Sequence, residues 1–286
     1  MIDHVALNWD DVVVATYRIE QSFRYVYPGP IFDLAHRLVV LPRLVHADQR
    51  RLSRSLSISP HGRTRSADDA FGNEVVTFTS ARIDAGFEIA VEATVLRSRA
   101  SGPHEVGAEL LEHARYREGT ALTAPDARLR DAASALRSRA RTTRDLAEAI
   151  VDFVHREIAY AKGVTDVATT AAEAFALKRG VCQDFAHVAL SIARACGLSA
   201  RYVSGHLLGE GATHAWIEFI LPGPGGEAIA LSYDPTYGVA TSLQYVVVAV
   251  GRDYADVAPT SGVYTAPYAG TLEASTHVHV REVGYA

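Results

Sequence analysis

The apolar residues of this chain change their period once, and that change limits the folds open to it. From Asp11 to about Val95 they favour every second position. Val12-Val13-Val14-Ala15-Thr16-Tyr17, Ser55-Leu56-Ser57-Ile58, Glu74-Val75-Val76-Thr77-Phe78-Thr79 and Phe87-Glu88-Ile89-Ala90-Val91-Glu92-Ala93-Thr94-Val95 read as strands. The alternation in the last two gives each a buried and a wet face. Pro28-Gly29-Pro30, Ser59-Pro60-His61-Gly62 and Gly72-Asn73 punctuate them as turns. Residues 1–100 therefore predict an antiparallel β domain. A run of small and charged residues with Gly102-Pro103 follows, and 101–125 reads as a connector.

From Asp126 the apolar residues fall three and four apart. Arg128 to Leu136 is alanine-rich, and Thr143-Arg144-Asp145-Leu146-Ala147-Glu148-Ala149-Ile150 has an apolar stripe behind a Thr143 that resembles an N-cap. Thr170-Ala171-Ala172-Glu173 fits a capping box ahead of a short helix to Leu177. Another helix runs from Cys182 to about Ala195. Arg201 to Leu208, His214 to Leu221, Ala228 to Ser232 and Tyr245 to Val250 then read as strands. Helices followed by an antiparallel sheet imply an α+β core over 126–286.

The charge balance, 28 basic against 33 acidic side chains, is a mild −5. It creates no strong field toward nucleic acid or an anionic membrane surface, and neither is expected as a partner. No run is long enough to span a bilayer, and the start Met1-Ile2-Asp3-His4 lacks a basic segment leading into an apolar one. The expectation is a cytoplasmic protein. Cys182 and Cys196 lie roughly 21 Å apart along one helix, too far for a disulfide. Both suit a reducing compartment. Cys196, before Gly197, reads as a buried apolar thiol near the helix end.

Cys182 follows the glycine turn Lys178-Arg179-Gly180-Val181 and opens its helix. Free backbone N–H groups and the positive dipole end favour a thiolate there and can hold an oxyanion. His214, in Thr213-His214-Ala215-Trp216, and Asp234, in Ser232-Tyr233-Asp234-Pro235-Thr236, stand at strand ends able to converge on that helix start. Nucleophile, base and orienter are thereby supplied in the order Cys182, His214, Asp234. A carboxylate accepting from His214 Nδ1–H would fix its tautomer.

Four segments resemble the bacterial transglutaminase-like, cysteine-protease-like family. They are Gly180-Val181-Cys182-Gln183-Asp184-Phe185-Ala186-His187, Ala200-Arg201-Tyr202-Val203-Ser204-Gly205, His214-Ala215-Trp216 and Asp234-Pro235-Thr236. Gly251-Arg252-Asp253-Tyr254-Ala255-Asp256-Val257 extends the resemblance. Leu38-Val39-Val40-Leu41-Pro42-Arg43, Ser57-Ile58-Ser59-Pro60 and Asp69-Ala70-Phe71-Gly72-Asn73 look like that family's amino-terminal β domain. The resemblance implies a papain-like, transglutaminase-like core. Two residues depart from the pattern: His206 stands where an aromatic often follows Ser-Gly, and Tyr237 where a small polar residue is more usual. Both could alter substrate choice.

Other residues carry open readings. The Gln183 backbone N–H is an oxyanion-hole candidate beside that of Cys182, and Tyr160 is either a second donor or a buried core tyrosine. Asp184 and His187 suit structural or substrate-positioning roles, since His187 lies about 140° around the helix from Cys182. His206 either lines the cleft or is exposed. Trp216 shares the face of His214 if the strand is unbroken. Tyr254 lies in a segment that either folds over the cleft or forms a charged surface turn. His277 and His279 share a strand face without an apparent third ligand, so neither a metal nor any other cofactor is expected.

The chemistry implied is cysteine-dependent acyl transfer on a peptide or protein amide through a thioester. With water as acceptor the chain is a peptidase or amidase, the favoured reading. An amine acceptor would make a transglutaminase or amide-forming acyltransferase. A peptide-binding module without turnover is the alternative from another class.

Overall fold

The computed structural model describes residues 2–99 and 104–285. Met1 and the Gly102-Pro103 pair of the expected connector lie outside them. Six strands open the chain: β1 (Val12–Val26), β2 (Ile31–Leu38), β3 (Gln49–Ser59), β4 (Arg63–Asp68), β5 (Glu74–Ile83) and β6 (Gly86–Ser98). The four segments with strand-like patterns fall in β1, β3, β5 and β6. In β6 the pattern turns Phe87, Ile89, Val91, Ala93 and Val95 inward. The β2 strand was hidden in the sequence. Its Asp33 has left-handed backbone (φ 51°), so Ile31 and Leu34 point inward three positions apart and the two-residue rhythm is lost.

The second part contains α1 (Ala127–Arg139), α2 (Thr143–Glu157), α3 (Ala171–Leu177) and α4 (Cys182–Ala195). The cap of α2 is Thr142, one residue before the expected Thr143, and its hydroxyl accepts from Asp145 N–H at 3.0 Å. The Thr170/Glu173 capping box of α3 forms as the sequence predicts. Every residue of α4 from Gln183 to Arg194 is buried, the condition of a helix packed on all sides. Its core cluster draws Leu129, Ile150, Val154 and Phe175 from the other helices, and Tyr202, Ala215, Ile217 and Phe219 from the sheet. Gly197, at φ 79°, closes the helix end, where Leu198 N–H reaches the Ala193 carbonyl at 2.9 Å.

The sheet beside α4 comprises β7 (Ser199–Leu207), β8 (His214–Pro222), β9 (Ala228–Asp234) and β10 (Tyr245–Gly251). They are hydrogen-bonded in the order β9-β8-β7-β10, all antiparallel. The short strand His104–Val106, from the expected connector, adds to β9. The mixed helices, antiparallel sheets and amino-terminal β region give the expected α+β architecture.

After the short helix α5 (Tyr254–Val257), the chain returns to its first sheets. Strand β11 (Thr260–Thr265) pairs with β2, and β12 (Thr271–Tyr285) pairs with β1. The amino-terminal sheets are thus β12-β1-β6-β3, extended by Val45–His46, and β11-β2-β5-β4. Here the structure differs from the core drawn over 126–286: the last two strands cover sheet edges that β1 and β2 would otherwise leave unpaired.

Polar residues of the first region also complete the second. The Gln49 side-chain amide donates to Val247 C=O and accepts from Val247 N–H, at 2.7 and 2.8 Å. Asn73 does the same at Val250, at 2.8 and 2.9 Å. Two side chains thereby satisfy the edge of β10 that lacks a strand. A separate apolar cluster packs Val12, Ala15, Tyr17 and Ile19 with Leu208, Leu243 and Val246.

Candidate active site

Gly180 is required by the turn that delivers Cys182. A Cβ at that position would lie 2.5 Å from Asp184 Oδ2, because Asp184 folds back to accept Val181 N–H and the Thr165 hydroxyl, both at 2.7 Å. Asp184 is therefore a fixed brace of the turn. The N–H groups of Asp184 and Phe185 both return to Val181 C=O, at 2.8 and 3.2 Å. Those of Cys182 and Gln183, in the first turn, have no acceptor within the helix. They remain available to an oxyanion beside the half-buried thiol. Cys196 is the contrast: it is buried, its sulfur donates to Ala133 C=O, and burial pushes its thiol up to about 11.

His214 begins β8 opposite Gly205. Its Nε2 lies 2.6 Å from Asp234 Oδ2, which corrects the expected pairing through Nδ1. The fixed nitrogen is Nε2, and Nδ1 is the one left to serve Cys182. Asp234 is fully buried and held on both oxygens: Tyr245 O–H donates to Oδ2 at 3.0 Å and Thr236 N–H to Oδ1 at 2.8 Å. Burial alone would lower the His214 pKa. Its bonds to Asp234, Cys182 and Glu210 outweigh that and raise it to about 12, which makes the ring a strong acceptor for the thiol proton.

Glu210 escaped the sequence reading. Its Oε2 stands 3.2 Å from His214 Nδ1, and its Oε1 accepts from Tyr237 O–H at 2.7 Å. Burial works against ionisation of Glu210, but the bonds from His214 and Tyr237 prevail and its pKa is lowered. In sequence it lies in Gly209-Glu210-Gly211, between the strands read over Arg201 to Leu208 and His214 to Leu221.

The remaining candidates separate clearly. Tyr160 is 53% exposed, against the buried core reading. Burial, then the charges of Cys182 and Glu210, raise its phenol, which places it in the field of the site. The Gln183 side chain is committed to Val167 C=O at 3.2 Å, leaving only its backbone N–H for the site. Trp216 shares the His214 face, with ring centroids 6.2 Å apart, but is 1% exposed. It backs the imidazole and has almost no exposed surface to offer a substrate. A Cβ at Gly205 would lie 2.5 Å from that indole, so the glycine makes room for it.

His206 corrects both of its readings: it is fully buried, neither cleft-lining nor exposed, and its Nε2 faces the Gln21 amide nitrogen at 3.1 Å. The reason is the amino-terminal sheet, which covers this end of β7. Tyr254 is partly buried. It opens α5, packs against the core cluster, and its N–H donates to His187 Nε2 at 3.1 Å. His187 itself is buried and held neutral, its pKa lowered to about 4 by desolvation.

His279 lies 3.7 Å from Glu20 across the β12–β1 pair. Among the described residues, a different group offers ligand atoms mutually within 4.8 Å: His46, His104 and Glu218. The Glu218 carboxylate is already matched by Arg201 Nε and Nη2, both at 2.7 Å, by His46 Nε2 at 2.7 Å and by Ser232 O–H at 2.8 Å. An adjacent guanidinium opposes a cation there. The cluster ties Val45–His46 to the core sheet.

Residues 130–227 match the Transglutaminase-like superfamily, and residues 17–96 match the Bacterial transglutaminase-like N-terminal region. The uncharacterized protein ML0607 of Mycobacterium leprae is 42% identical over 124 residues, covering 40% of this chain and 42% of that protein. The uncharacterized protein Rv2569c of Mycobacterium tuberculosis is 37% identical over 150 residues, 47% of this chain and 48% of that protein. The chain thus spans about half the length of the curated relatives it matches. Its fold is similar to the crystal structure of a candidate cysteine protease from Cytophaga hutchinsonii, with a TM-score of 0.77, 20% identity, and coverage of 96% and 93% of the two chains.

Proposed function

We propose that this chain, a bacterial transglutaminase-like protein carrying the family's amino-terminal β region on a transglutaminase-like core, is a cysteine-dependent acyl-transfer enzyme that hydrolyses amide or peptide bonds. The match to the Transglutaminase-like superfamily supports a cysteine-dependent enzyme. The observation that carries the reading for this chain is the 2.6 Å bond between Asp234 and His214 Nε2. It leaves Nδ1 for the one cysteine at a helix start.

Cys182 gives its proton to Nδ1 while the electron pair stays on sulfur. The thiolate adds to the substrate carbonyl, and the developing oxyanion meets the free N–H groups of Cys182 and Gln183. His214 returns the proton to the leaving amine as the C–N bond breaks. Water, deprotonated by the same ring, then cleaves the thioester and regenerates the thiol. Asp234 keeps its bond to Nε2 throughout and supports the imidazolium.

Intact-mass and peptide-mapping mass spectrometry, after incubation with a peptide library with and without added amine, tests this reading. Expected are an acyl adduct confined to Cys182 and free-acid products. Adducts absent from the wild type, or persisting in Cys182→Ala, would overturn it. Amide products in the amine arm would reassign the acceptor.

A further inference from the structure

His214 Nδ1 has two claimants, and they carry the same charge. The Cys182 thiolate needs the Nδ1 proton as its partner once the thiol has ionised. Glu210 Oε2 already stands 3.2 Å from that nitrogen. Tyr237 braces it: the phenol donates to the other carboxylate oxygen at 2.7 Å, and its ring lies 5.9 Å from the imidazole. Tyr237 is also a departure from the family-like Asp-Pro-Thr pattern, so the brace belongs to this chain's own sequence. Glu210 lies between Gly209, at φ 92°, and Gly211, beside whose Cβ position no atom comes within 4 Å. The His4 ring faces the Gly209 Cβ position at 3.1 Å, so the open side toward which the carboxylate can turn is that of Gly211.

The other charged or titratable groups facing the ring or Glu210 are Asp234 and Tyr245 on the Nε2 side, Tyr160 and Lys162 from the segment before α3, and His4 against Gly209. Asp234 acts at the far nitrogen and does not compete. Glu210 acts at the near one, where its charge also opposes the sulfur anion directly.

We propose that Glu210, braced by Tyr237, is a positioning residue that competes with the Cys182 thiolate for the Nδ1 proton of His214, restraining the nucleophile until the carboxylate swings away. This rests on Cys182 and His214 being nucleophile and base. It makes the Gly209-Glu210-Gly211 hairpin a reactivity control without touching the bond being broken.

The test is iodoacetamide labelling of the whole chain across a pH series, read peptide by peptide with buried Cys196 as internal reference. In Glu210→Gln, Cys182 should label about tenfold faster at mildly acidic pH, with the rate profile displaced to lower pH. Tyr237→Phe should move the same way by less, since the carboxylate loses its brace but keeps its charge. Glu210→Asp, one methylene shorter, should fall between wild type and Glu210→Gln. A Glu210→Gln profile that superimposes on wild type, or moves to higher pH, overturns the proposal while leaving the acyl-transfer reading intact. A wild-type Cys182 no faster than Cys196 at every pH removes the acyl-transfer reading and this proposal together.

Discussion

The amino-terminal sheets and the helix that presents Cys182 bury their residues in opposite ways. In β6 every second residue faces inward, and the intervening ones meet solvent. Along α4 nothing from Gln183 to Arg194 is exposed. Half-buried strands tolerate change on their wet face, whereas a helix enclosed on all sides holds its first residue in one place. Yet the sheets are more than a cover. Gln49, Asn73, Gln21 and His46 each reach from the first region to a polar group in the second. The comparison therefore shows a rigid centre whose polar edges are completed from outside.

Cutting the chain breaks that comparison most severely. A chain beginning at Asp126 loses the partners of β11 and β12 and bares the edge of β10, so it should fail to fold cooperatively by circular dichroism. A folded truncation with a reactive Cys182 would show that the first region only covers the core. Cys182→Ala and His214→Ala probe the centre alone. Both should fold and lose activity by about a million-fold once a substrate is found.

Asp234→Asn should retain on the order of a hundred times more turnover than His214→Ala. An amide can still accept from Nε2–H, but it cannot accept Thr236 N–H as well through its second head-group atom, and it brings no charge. Equal rates for Asp234→Asn and wild type would remove Asp234 from the orienting role. Next in size is the tie between the regions. Glu218→Gln leaves Arg201 buried without its counter-charge and should cost about 3–5 kcal/mol in urea unfolding, with Cys182 labelling unchanged in the folded protein.

Acid should loosen both regions together. Burial holds His36, in the amino-terminal sheets, His187, within α4, and His206, at the junction, down at about 4. Unfolded, they titrate near the model-peptide value of about 6.5. Between those values the unfolded chain binds protons that the folded one refuses, so stability is full above about pH 6.5 and declines toward pH 4. The expected loss is on the order of a few kcal/mol. His214 acts with the opposite sign: its contribution is complete below its unfolded value and fades as pH rises toward about 12. Denaturant midpoints flat across the acid range would contradict the buried neutral histidines.

What could be read in sequence followed from local chemistry. The alternation of β6, the Thr170/Glu173 box and the glycine turn before Cys182 each involve neighbours within a few positions, so their patterns survive in one dimension. Strand β11 left no such trace, and β12 only the short alternation around His277-Val278-His279, because mostly exposed edge strands need no apolar rhythm. Which imidazole nitrogen meets Asp234 depends on how β8 and β9 are set against each other. Glu210 meets His214 only because a hairpin folds its turn back over the strand that follows. His206 looked available because its covering residue, Gln21, lies 185 positions away.

The pairing of β1 with β12 sets Val12 against Tyr285. On a ribosome adding roughly 5–20 residues per second, β1 waits tens of seconds before its outer neighbour emerges. Throughout that interval a long strand edge is free to pair with another nascent chain. The requirement for such a distant partner should make folding slow, and crowded synthesis, more than heat, should be the condition under which this protein is lost to aggregation.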